Sequence, residues 1–223
     1  MGATRQSKIA RFIGDVALDM ADKGWKLHLV GDENVYTETD STGDESKCIG
    51  YTLEDDSLVV VAMNSERWLY ALIHEYAHFR LYHERTTRQV AKAAEQFDSA
   101  MDTLTRWVES GQTRMITEAD AWAAAKAMAK EEAAAEARAL KLVDERKLPV
   151  DRSMHIRTAN AYVLSHGSVV TMRRWQDRDA FDNEEFRKRF SSIPRFAAYA
   201  RTLKTSHKKF ASVFTEFYKE VGR

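Results

Sequence analysis

Leu58-Val59-Val60-Val61-Ala62-Met63 is followed closely by Leu72-Ile73-His74-Glu75-Tyr76-Ala77-His78-Phe79, and these two stretches decide the fold. Four of the five residues from Leu58 to Ala62 are Leu or Val, which suits a strand covered on both faces. Asn64 or Ser65 can cap a helix running to about Glu84, because their side chains accept orphan amide hydrogens. Two histidines at i and i+4 lie one turn apart on one helix face, so both imidazoles can reach a single metal. Glu75 is rotated about 100° from His74, where a carboxylate can take a proton from metal-bound water. Leu69, Leu72, Ile73, Ala77, Phe79 and Leu81 make this helix apolar on nearly every side. Two His and a Glu on a buried helix are costly unless something satisfies them, and a metal does so.

Working outward from the motif, the earlier residues read as a helix and short strands. Ile9, Phe12, Ile13, Val16, Ala17 and Met20 recur at helical spacing and end at Gly24, a suitable C-cap. Trp25 to Val30 alternates like a half-buried strand. Residues 31–47 read as loop or a weak hairpin. Cys48 to Leu53 and Leu58 to Met63 are strands joined by a turn at Glu54-Asp55-Asp56-Ser57. After the motif the chain is mostly helical. One helix starts at Thr86 or Thr87 and runs to about Ser110-Gly111, and another runs from Thr117 to about Lys147, before Pro149. The Ala-rich half of the latter has strong helix propensity but little to bury. Residues 153–165 read as helix, Ser168 to Met172 as a short strand, and Ile193 to Val221 as an amphipathic helix. The expected architecture is α+β and mainly helical, with a small antiparallel or mixed sheet beside the H-E-x-x-H helix. Residues 1–150 would form the core, and residues 151–223 a basic helical C-terminal part packed on it.

The chain has 223 residues with 34 basic and 34 acidic side chains, so its formal net charge is zero. The balance is −6 over residues 1–64, −1 over 65–150 and +7 over 151–223. A basic last third can meet nucleic acid or an acidic partner; it can equally neutralise the acidic N-terminal part within one fold. No run of about 18 uncharged apolar residues exists, so no membrane span is expected. The N-terminus lacks an apolar signal core, and a cytoplasmic location is expected. Cys48 is the one cysteine, which excludes an internal disulfide and a Cys-rich zinc module.

The stretch Leu72 to Phe79 resembles the zincin metallopeptidases. That resemblance implies a zincin-like fold and a catalytic zinc with three protein ligands and a water. It also implies that the strand before the metal helix, Leu58 to Met63, edges the cleft and pairs with extended substrate. His74 and His78 are the first two ligands. The metzincin pattern would need Gly and His where this chain has Leu81 and Glu84. His83 lies about 140° beyond His78 on a continuous helix and points away. A carboxylate from a later helix is then expected, the gluzincin arrangement. The foremost candidate is Glu118, in Ile116-Thr117-Glu118-Ala119-Asp120-Ala121-Trp122-Ala123; Asp120, Glu95 and Glu109 remain alternatives. This segment resembles the Glu-Ala-Asn/Asp-x-aromatic-Ala run of the ImmA/IrrE-like metallopeptidases, in which a Glu from such a helix completes the zinc site. The chain departs from that family in lacking its Leu-Leu-Met-Pro ending and in the long insertion over residues 84–116.

The expected function is that of a zinc metallopeptidase acting on a specific protein substrate, with zinc-bound water activated by Glu75. Tyr162, His155 and His166 are candidates, by residue type, for stabilising the oxyanion. Two other functions fit the same residues: a non-catalytic zinc-stabilised binding module, and a nucleic-acid-binding regulator using residues 151–223.

Overall fold

The computed structural model describes residues 4–39, 45–109, 116–175, 181 and 183–220. Its order is α1 (Arg5–Ala21), β1 (Lys26–Val30), β2 (Val35–Thr39), β3 (Glu45–Cys48), β4 (Gly50–Leu53), β5 (Leu58–Ala62), α2 (Trp68–Glu84), α3 (Thr87–Glu109) and α4 (Glu118–Arg146). It continues with α5 (Arg152–Met172), α6 (Glu184–Lys188), α7 (Phe196–Arg201), α8 (Leu203–Lys208) and α9 (Ala211–Glu220). The protein is thus α+β and mainly helical, with a small mixed sheet. The chain divides into two compact units, Met1–Glu84 with Arg138–Arg152, and Arg85–Ala137 with Ser153–Arg223. Residues 85–137, expected to belong with the first 84, therefore group with the C-terminal residues, and α4 contributes to both units.

The first unit is built on β5. Strand β1 pairs with it in parallel and β4 antiparallel, giving the order β1-β5-β4. Successive side chains of a strand point to opposite faces, and here each face meets its own apolar cluster. Val59 and Val61 join Phe12, Val16, Leu72, Ile73 and Phe79 on one side. Val60 and Ala62 join Val35 and Cys48 on the other. Two-sided burial explains why Leu58 to Ala62 carries no polar alternation. The turn before it closes through Ser57, whose φ is 50° and whose amide donates to Glu54 O at 3.1 Å. Residues 31–47, read as loop or weak hairpin, contain β2 and β3, which pair antiparallel; residues 40–44 lie outside the described part. Helix α1 starts at Thr4, whose hydroxyl accepts from the Ser7 amide at 3.2 Å, and the chain leaves it through Gly24 at φ 76°.

One expectation about substrate binding changes here. Leu58 to Met63 was expected to edge a cleft, but β5 has a strand on each side and no backbone edge to offer. Within this three-stranded sheet the edge nearest α2 belongs to β4, which packs against that helix.

The second unit is organised by α5, which is buried on nearly all sides, as a helix in the middle of a core must be. Its composition suits the position: Ala159, Ala161, Ser165, Gly167 and Ser168 permit close approach. Ser168 to Met172, expected as a strand, forms the end of this helix, because small and β-branched residues are accepted in a buried helix where neighbours select its conformation. Fully buried Asn160 donates to Ser191 O and Ile193 O at 2.8 and 2.9 Å and accepts from the Arg195 amide at 2.9 Å. Those three bonds hold the loop around Pro194. The expected single helix from Ile193 to Val221 is instead α7, α8 and α9. Thr202 leaves the helical region at φ −118° and ψ 36°, separating α7 from α8. Val221 lies outside the described residues.

Candidate metal centre

Helix α2 presents Leu69, Leu72, Ile73, Tyr76, Ala77 and Phe79 to the first unit's core. That packing fixes the helix's rotation, and therefore where the polar positions point. His74 and His78 are half-buried on one face. Their Nε2 atoms lie 3.2 Å apart, and their rings meet at 75° with centroids 4.8 Å apart. An ion about 2.0–2.1 Å from both nitrogens would see them at an angle of roughly 100°, close to tetrahedral.

The carboxylate that joins them is Glu132. One ligand atom each from His74, His78 and Glu132 lie within 4.8 Å of one another. Glu132 is buried, at 7% exposure. Two imidazole nitrogens and one carboxylate oxygen are three of the four donors that a tetrahedral ion with one open position uses. The donor set fits such an ion, and the group could bind a metal.

Glu118, expected as the third ligand, is not in this group. It stands in the first turn of α4, 63% exposed at its side chain. Its carboxylate accepts from Trp122 Nε1 at 2.9 Å and from Lys204 Nζ at 3.3 Å. Those two hydrogen bonds, Trp122 first, hold its pKa below the usual carboxylate value. Fourteen residues separate it from Glu132, about 21 Å along an α-helix. Asp120 has a different task. It accepts from the amide and hydroxyl of Thr117 at 2.9 and 2.6 Å, while its own amide donates to Thr117 Oγ1 at 3.2 Å. This reciprocal arrangement is a capping box at the start of α4, and it lowers the Asp120 pKa. Glu95 and Glu109 are exposed on α3.

The signal for Glu132 lay in Glu131-Glu132-Ala133-Ala134-Ala135-Glu136-Ala137. Alanines 133, 135 and 139 are buried together with Glu132 and Glu136. Between Met128 and Leu140 the buried residues of α4 are only Ala and Glu, which leaves room beside a carboxylate at little steric cost. Low hydrophobicity concealed that face.

Glu75 is 9% exposed and faces β4. Its Oε2 accepts from Thr52 Oγ1 at 2.8 Å. His83 sits at the end of α2 among the rings of Trp25, Phe79 and Tyr82, where burial above all, then Lys23, lowers its pKa. Of the three residues considered for the oxyanion, His155 is buried with its Nε2 3.6 Å from Glu136 Oε2. His166 is buried with Nδ1 3.1 Å from Tyr162 O, and burial lowers its pKa against the pull of Glu132. Tyr162 packs on His166 and Phe181.

No protein-family model, curated protein or solved structure matches the chain. Fold and site together describe a mainly helical α+β protein with a His-His-Glu group able to hold a metal ion. No described helix is long and apolar enough to cross a membrane.

Proposed function

We propose that the protein is a zinc-dependent metallopeptidase that cleaves a specific protein substrate. The observation that carries this reading is the convergence of the His74 and His78 Nε2 atoms, 3.2 Å apart, with Glu132 beside them and a buried carboxylate, Glu75, next in sequence to His74. His74, His78 and Glu132 would hold the zinc, which when bound supplies a Lewis acid for a carbonyl and lowers the pKa of water. Glu75 takes the proton of the attacking water and delivers it to the leaving amine, the work of a general base and then a general acid. A purely structural site needs no such base beside it. Among the described residues no further strand pairs with β4 on its outer side in this sheet, so an extended substrate segment can add to it by backbone hydrogen bonds. The resemblance to zincins rests on Leu72 to Phe79. The segment Ile116 to Ala123, which resembles the ImmA/IrrE-like run, supplies no ligand in this reading.

The test is Glu75→Gln. Zinc-loaded protein should cut members of a proteome-derived peptide mixture, read by mass spectrometry, and the variant should lose about 10²–10⁴-fold in rate. Its zinc content should match wild type, since Glu75 is not a ligand. A fully loaded wild type that leaves the mixture as intact as Glu75→Gln does would defeat the peptidase reading and favour a non-catalytic metal-stabilised protein.

A further inference from the structure

Strand β4 begins Gly50-Tyr51-Thr52, and alternation places Gly50 and Thr52 on one face and Tyr51 on the other. Tyr51 packs against the cluster of Val35, Cys48, Val60 and Ala62. Gly50 and Thr52 both meet Glu75. A Cβ built on Gly50 would lie 3.2 Å from Glu75 Cγ and 3.1 Å from Val60 O, so only glycine leaves the Glu75 stem its place without displacing a neighbour. Two residues on, the Thr52 hydroxyl donates to Glu75 Oε2 at 2.8 Å. One residue clears the space for the stem and the other holds the head. The register with β5 fixes both: Gly50 stands opposite Val61 and Thr52 opposite Val59, and both valines are fully buried.

We propose that Thr52 is the positioning residue for Glu75, with Gly50 as the clearance that lets it act. This rests on the peptidase reading above. Glu75 has three rotatable side-chain bonds, and nothing in the H-E-x-x-H spacing chooses among their rotamers. A base must sit within hydrogen-bond reach of the proton it removes. The Thr52 hydroxyl selects one orientation from a rigid element, as outer hydrogen-bond partners do for the groups of a metal site. The clasp lies on the strand proposed to receive substrate, so one element would orient both the base and the bond to be cut.

Three full-length variants test it: Thr52→Val, which keeps the shape and removes the hydroxyl; Thr52→Ser, which keeps the hydroxyl; and Gly50→Ala. A peptide cut by the wild-type protein, made fluorogenic, serves as substrate. Thr52→Val should lose about 10–100-fold in kcat with KM, zinc content and thermal midpoint near wild type. Thr52→Ser should recover most of that rate, which a general packing defect at the site would not allow. A readout free of turnover is the 13C carboxyl resonance of Glu75 in zinc-loaded protein, identified by its absence in Glu75→Gln. It should move in Thr52→Val and return in Thr52→Ser. Gly50→Ala should move the same resonance with Thr52 in place. A Thr52→Val enzyme with wild-type kcat, or an unmoved resonance, overturns the proposal and leaves the peptidase reading standing. If wild type and Glu75→Gln alike cut nothing, the peptidase reading fails and the role given to Thr52 fails with it.

Discussion

Purified protein is expected to carry close to one zinc per chain, lost in His74→Ala, His78→Ala and Glu132→Ala and kept in Glu118→Ala. Elemental analysis gives the stoichiometry, competition with a chelator gives the affinity, and circular dichroism confirms the fold of each variant. Loss of a residue that merely supports a ligand costs about 10–100-fold in affinity. Removal of a donor itself should exceed that, because a site with three protein ligands has none in reserve. Glu132 and Glu118 make a sharp comparison because both are glutamates of α4. The first is buried and grouped with the two histidines; the second is exposed and bonded to Trp122 and Lys204. Zinc retained in Glu132→Ala and lost in Glu118→Ala would reverse the assignment. Chelation adds a second expectation. Helix α2 is held by the apolar cluster around Leu72, Ile73 and Phe79, so stripping the metal should leave helix content almost unchanged. Unfolding on chelation would mark a structural site instead.

How far the site could be read from sequence follows from the range of each signal. His74 and His78 are neighbours on one helix, and helical geometry alone brings their rings together. Likewise the run from Leu58 to Ala62 announces two-sided burial by its own composition, and the structure gives each face a cluster. The third donor, a carboxylate, comes from a helix far along the chain, and local spacing does not contain that information. At Glu118 the local features were favourable, but small neighbours in a helix's first turn also suit an exposed start, and Asp120 beside it serves the cap. Glu132 was hidden because an Ala-rich face looks poor in burial energy, although its alanines are among the least exposed residues of the chain. The Thr52 contact is likewise tertiary: a threonine in a short strand carries no mark of its partner twenty-three residues away. In the C-terminal part the amphipathic pattern read over Ile193 to Val221 holds for α9, whose Phe214 and Phe217 are buried in the second unit's cluster. The break at Thr202 was not visible, since threonine is compatible with a helix, and the packing that buries Leu203 and His207 of α8 is tertiary.

That packing leads to the largest stability effect expected outside the metal centre. Gly167→Ala should destabilise the protein by about 1–3 kcal/mol, although alanine is by propensity better in a helix than glycine by about 1 kcal/mol. A Cβ at Gly167 would fall 2.4 Å from Cγ and 2.7 Å from Cβ of His207, which are the ring's root and not a flexible tip. The ring has little room to retreat. It is 1% exposed, its Nδ1 lies 3.1 Å from Leu164 O, its Nε2 lies 3.2 Å from Thr171 Oγ1, and Phe214 and Trp122 flank it. Denaturant titration should place the clash between these two positions: Gly167→Ala in a His207→Ala background should cost much less than in wild type, a coupling that a double-mutant cycle measures. A stabilised Gly167→Ala protein would show that α8 does not seat on α5 as described. The same ring sets a pH dependence. A carbonyl only accepts, so Nδ1 carries a proton toward Leu164 O. Burial lowers the His207 pKa, outweighing that hydrogen bond. The unfolded chain takes up its proton near pH 6.5, while the folded chain does so only at lower pH. Well above pH 6.5 neither state binds the proton and the ring adds no slope. As pH falls from there toward the folded value the unfolded state binds more protons, and stability declines. Denaturant midpoints should therefore fall between pH 7.5 and 5.5, and fall less in His207→Gln; an equal fall in both proteins would show that the ring is not held neutral.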